Sequence, residues 1–130
     1  MKSDQVTLTL PRDRDFHRVA HLVLGGLAVR LDLTFEHLED LQLALTGVLD
    51  RLDEGGEVTV ALRVTDNDLE ASVGPCHERV RQELEGEVGD EVGLRRILDA
   101  VVDDVQIAPG EGGDWIELHK RVERRNGGDA

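Results

Sequence analysis

The chain has 130 residues, of which 39% are hydrophobic and 33% charged, the size and make-up of one globular domain with a core of its own. Its formal net charge is −13, and the only basic run is the short "KRVERR" at 120–125, so a nucleic-acid role is not expected and a basic or neutral protein partner fits better. A single cysteine, Cys76, excludes an internal disulfide and a cysteine-rich zinc site, and no stretch approaches the roughly eighteen apolar residues that a membrane span needs.

Gln5 to Leu10, "QVTLTL", alternates polar and apolar and predicts a strand that Pro11 ends. Asp13 or Asp15 can cap the helix that follows. Phe16, Val19, Val23 and Leu27 line one face of it, while Leu22, Leu24 and Val29 make it apolar elsewhere too. Such breadth predicts burial on two sides, the second by another subunit. Thr34 then caps a second helix by a simple cap, because His37 stands where a capping box wants Glu. Leu41, Leu45, Val48 and Leu52 form its core stripe, and Gly55 and Gly56 place its end near Glu54. Gly47 and Arg51, four residues apart, share another face. A helical glycine costs about 1 kcal/mol relative to alanine, so Gly47 needs a reason.

Val58, Val60, Leu62 and Val64 alternate with Thr59, Ala61, Arg63 and Thr65 in a half-buried strand. "TDND" turns it, and Leu69, Ala71 and Val73 face inward on the return strand, which Gly74-Pro75 breaks. Cys76 to Leu84 suits a short helix with Val80 and Leu84 inward, followed by an acidic, glycine-rich loop at 85–93. "LRRILDAVV" is an amphipathic helix, with Leu94, Ile97, Leu98, Val101 and Val102 on its apolar face. Two strands around "PGEGGD" close the order. Strands grouped in hairpins with helices between them predict an α+β, two-layer sandwich: a mostly antiparallel sheet with helices on one face.

This order, with the segments "FEHLEDLQLALTGVLDRL" and "VGLRRILDAVVDDVQIAPGEGGDWIELHKRV", resembles the histidine-kinase-like ATPase superfamily (the GHKL or Bergerat fold), and within it the anti-sigma factor serine kinases. The resemblance runs from Val6 to Val122, which implies one domain over residues 1–122 and a polar tail at 123–130. It also implies where a nucleotide would sit, and there the chain departs from the family. The position of the family's catalytic glutamate is Gly47, and that of its magnesium-binding asparagine is Arg51. The loop whose aspartate holds adenine reads "VGPCHE", with Gly74 and Pro75 at the motif and no carboxylate on the aspartate's position. The phosphate loop keeps one glycine, Gly93, ahead of Leu94. The acid-rich segment at 83–91 matches the family's nucleotide lid.

The degenerate nucleotide pocket implied by the resemblance is therefore Gly47, Arg51, Gly74, Pro75, Gly93 and Leu94, with no catalytic base and no metal ligand. Arginine stays protonated and cannot ligate magnesium. Loss of a general base alone costs on the order of 10²–10⁴ in rate. The expectation is a non-catalytic, cytoplasmic regulator that needs no cofactor and holds a sigma factor or an anti-sigma antagonist, with a homodimer as a compatible state. The alternative is a serine/threonine kinase of an antagonist protein with a rearranged site that still takes ATP and magnesium, or in which Arg51 itself meets the phosphates. Simpler readings cover the other polar residues. Arg51 pairs with Glu54 or the neighbours of Asp50, His17 and His21 lie on a polar face, Cys76 is an inert thiol, Asp103 and Asp104 are structural, and Trp115 packs at a sheet edge.

Overall fold

The computed structural model describes residues 3–52, 56–85 and 93–122. The fold is α+β, as the patterning predicts. The described residues hold five strands, β1 (Ser3–Pro11), β2 (Glu57–Thr65), β3 (Asp68–Cys76), β4 (Asp104–Gly110) and β5 (Gly113–Arg121). They form one antiparallel sheet in the order β1-β2-β3-β5-β4. Alternation sets the two faces. Val58, Val60, Leu62 and Val64 of β2, Leu69, Ala71 and Val73 of β3, and Ile116 and Leu118 of β5 are buried together with residues of all four described helices. Thr9 and Thr59, Arg63 and Glu70, and His119 and Asp68 pair across strands on the polar face.

The helices are α1 (His17–Arg30), α2 (Phe35–Leu49), α3 (Glu78–Leu84) and α4 (Leu94–Val101). Asp13 caps a 3₁₀ turn at Arg14–Phe16 that leads into α1. The α1 face that enters the core is Ala20, Leu24, Leu27 and Ala28, one step round from the predicted one. Phe16 lies outside it, and Leu22 and Val29 are 74% and 79% exposed. The apolar residues encircle α1, so periodicity alone does not set its phase. Asp32 adopts a left-handed conformation (φ 56°), and the amides of Asp32 and Leu33 return to the carbonyls of Val29 and Ala28, which closes α1 as a Schellman motif.

Thr34 Oγ1 accepts from the His37 amide and starts α2 as predicted. Its stripe of Leu41, Leu45, Val48 and Leu52 is buried. The helix ends at Leu49, earlier than expected, because the last turn tightens into bonds from Arg51 N to Val48 O and from Leu52 N to Leu49 O. Arg51 is thus in the turn after α2; Glu54 and Gly55 lie outside the described residues, as do 86–92 of the predicted lid and the tail at 123–130. Gly74-Pro75, a cis peptide, does not break β3; the strand runs on to Cys76 through a register shift after Val73. No helix among the described residues is long and apolar enough to cross a membrane.

Candidate functional site

The end of α2, the last turn of α3 and the first turn of α4 meet at one place. Gly47 is buried in the final turn of α2, and a Cβ built on it would stand 3.4 Å from Leu94 Cδ1 and 3.6 Å from Ile97 Cγ2. The first turn of α4 therefore lies directly on the glycine. Arg51 Nη1 donates to the Gly47 carbonyl at 3.0 Å, one of the orphan acceptors at the end of α2. Its Nε donates to Glu83 Oε1 at 3.1 Å. The same oxygen accepts from the Leu94 amide at 3.4 Å. Gly93 is the N-cap of α4 and offers no side chain to its free amides, and among the described residues the Glu83 carboxylate is an anion at that positive helix end. Among the described residues Arg51 thus pairs with Glu83 and the Gly47 carbonyl; the expected partner Glu54 lies outside them.

Four of the six predicted pocket residues, Gly47, Arg51, Gly93 and Leu94, are thus brought together. Gly74 and Pro75 sit elsewhere. A Cβ on Gly74 would meet the Trp115 ring at 2.5 Å, and one on Gly110 would meet the same ring, so Trp115 lies across two glycines of its neighbouring strands. It is on the sheet face without helices, in a strand flanked by β3 and β4 rather than at an edge. Pro75 packs beside Gly112 and Gly113 of the β4–β5 turn. Its carbonyl accepts from Arg12 Nη2 at 2.6 Å, and the buried Arg12 also holds the Glu57 carbonyl and His77 Nε2.

Glu83 and His21 are residues whose contacts sequence reasoning missed. Glu83 lies on α3, within the predicted short helix and at the start of the segment matched to the lid; its contact with Arg51 is what the sequence did not show. His17 and His21 do not lie on a free polar face but point at α2. His21 Nε2 is 2.8 Å from Thr46 Oγ1, and His17 Nδ1 is 3.7 Å from Asp50 Oδ1. Burial, and then the neighbouring His17, lower the affinity of His21 for a proton below the ordinary histidine value, against the pull of Asp50. Burial pushes the Cys76 thiol up to about 11, as expected of an inert cysteine. Arg81 grips Asp114 through two nitrogens and holds its carboxyl below the usual range, tying α3 to β5. No group of three or more metal-ligating side chains is present among the described residues.

No family model matches the chain. Among known proteins it is similar to the serine-protein kinase RsbW of Listeria innocua, 28% identical over 129 residues, which covers 84% of this chain and 82% of that one. The RsbW of Oceanobacillus iheyensis is 24% identical over 129 residues, covering 80% of this chain and 78% of its own length. The chain is thus similar to RsbW kinases over about four-fifths of its length. A solved structure of the RsbU and RsbW domains of Rv1364c from Mycobacterium tuberculosis matches 93% of it with a TM-score of 0.67 at 20% identity. This chain spans 32% of that longer one. The likeness shows a shared α+β fold, consistent with the histidine-kinase-like ATPase architecture. Against the RsbW kinases, the cluster around Gly47 occupies the region that the resemblance assigns to a nucleotide.

Proposed function

We propose that this chain is an anti-sigma-factor-like regulator that works by holding a partner protein, its kinase chemistry lost. One observation carries the reading. The cluster that the resemblance assigns to a nucleotide's reacting end is filled by the chain itself: Leu94 and Ile97 lie on Gly47, and the Arg51 guanidinium is engaged by Glu83 and the Gly47 carbonyl. Phosphoryl transfer needs a metal bridging the phosphates and a group that orients the attacking oxygen. Glycine at one position and arginine at the other supply neither.

The partner is a sigma factor or an anti-sigma antagonist protein, met in the cytoplasm without a cofactor, and the −13 charge favours a partner with a basic face. Exposed Leu22 and Val29 on α1 suit a protein contact, a second copy of this chain included.

A second reading has one observation in its favour: the relatives are serine-protein kinases, and Gly93 with the first turn of α4 remains as a phosphate-binding element. The chain would then phosphorylate an antagonist through a rearranged site. Thermal unfolding with magnesium–ATP, and with ADP alone, separates the two. A ligand bound only by the folded state stabilises it by about 2.7 kcal/mol at a hundredfold excess over Kd. The binding-protein reading expects no shift with either nucleotide, no transfer of labelled phosphate to candidate antagonists, and co-purification of a sigma factor or antagonist. A clear shift together with phosphate transfer would overturn it.

A further inference from the structure

Glu83 ends α3 with one carboxylate oxygen shared by two donors from different elements, Arg51 Nε at 3.1 Å and the Leu94 amide at 3.4 Å. The side chains of Arg51 and Glu83 are 22% and 14% exposed, so the pair is largely out of water and weakly screened by salt. Arg51 is braced from behind by its bond to the Gly47 carbonyl, and α4 begins with no side-chain cap of its own. A guanidinium beside the first amide of a helix is a cradle for an oxyanion. Here a carboxylate of the same chain is in it.

We infer that Glu83 is a built-in anion: it takes the place of a phosphate group between Arg51 and the first turn of α4, clamps α2, α3 and α4 together, and keeps phosphate-bearing ligands out. This rests on the reading of the cleft given above. Exclusion is then the work of one carboxylate more than of missing chemistry. Removing it frees both donors toward an incoming phosphate with no metal required, because Arg51 supplies the positive charge.

The test compares the wild-type chain with Glu83→Ala, Glu83→Gln and the double variant Glu83→Ala/Arg51→Ala, each first shown to unfold cooperatively. The probes are ATP and inorganic triphosphate, titrated calorimetrically without divalent cations. Glu83→Ala is expected to bind both at least tenfold more tightly than wild type, Glu83→Gln to be intermediate, and the double variant to return to the wild-type level. Should Glu83→Ala fail to fold, Glu83→Gln, which keeps the shape and a hydrogen bond to Arg51, carries the comparison. Folded Glu83 variants that bind no more tightly than a non-binding wild type would overturn the clamp alone and leave the proposed function standing. A gain that survives loss of Arg51 would also overturn the clamp. Micromolar binding of ATP by the wild type would overturn both.

Discussion

Gly47 illustrates how a single side chain decides what a surface can do. Its would-be Cβ meets Leu94 and Ile97 at ordinary contact distances, so the site has room for a methyl group and little more. Gly47→Ala should therefore stabilise the protein by about 0.5–1 kcal/mol, through helix propensity and a less flexible unfolded chain. Gly47→Glu, which puts a carboxylate where the resemblance places the family's catalytic glutamate, should cost about 2 kcal/mol or more by overpacking and by burying a charge against Leu94. Urea unfolding of the two variants checks both signs. His21 gives a second residue-level expectation. Its proton affinity is lowered in the fold, so between the folded value and the unfolded one, about 6.5, the unfolded chain binds more protons. This contribution is fully present above that window and is lost as the pH falls through it. The urea midpoint should drop on acidification, and His21→Gln, which can keep the bond to Thr46, should drop less; equal slopes would refute the assignment.

Helices and strands are joined here by a few long polar side chains whose ends reach backbone carbonyls. Lys120 of β5 is the clearest case. Its ammonium donates to the Val101 carbonyl at the end of α4 and to Asp40 of α2, at 2.6 and 3.2 Å. Lys120→Met keeps the aliphatic stem but leaves the Val101 carbonyl without this donor, and should cost about 1–3 kcal/mol. If that variant unfolds at the wild-type midpoint, the strut is not structural. At this scale the sequence was legible where an element has one buried side. The stripe on α2 and the alternation of β2 and β3 predict the residues that face the core. The phase of α1 is not predicted in this way, because Leu22 and Val29 are as apolar as Leu24 and only the packing of α1 against α2 tells them apart. The end of α2 comes before the one the spacing predicts for a similar reason: Leu52 continues the apolar spacing although the backbone has already tightened into a turn.

At the level of the whole molecule, the strand and helix order carried the fold, since hairpin-grouped strands with intervening helices admit few two-layer arrangements. The candidate site was legible only in part. The chain itself offers Gly47 and Arg51 on one helix face, and the resemblance assigns them, with Gly93, to the region of a nucleotide. The occupant of that region could not be read in the same way, because Glu83 lies 32 residues from Arg51 and 11 from Leu94, and a polar contact at such separations leaves no periodic trace. Gly74 and Pro75 show the converse. Their place in a motif suggested a pocket, while their backbone in fact supports an indole ring on the far side of the sheet.

That ring has a practical use. Trp115 is the sole tryptophan, and the chain has no tyrosine, so its ultraviolet emission comes almost entirely from one address. The indole nitrogen is tied to the Glu111 carbonyl at the β4–β5 turn, and the ring faces away from the helical layer. Light emitted by this protein thus reports on the open sheet face and is nearly blind to the helical side. A partner that docks beside Trp115 should shift or quench that light, whereas one confined to the helices should leave it largely unchanged.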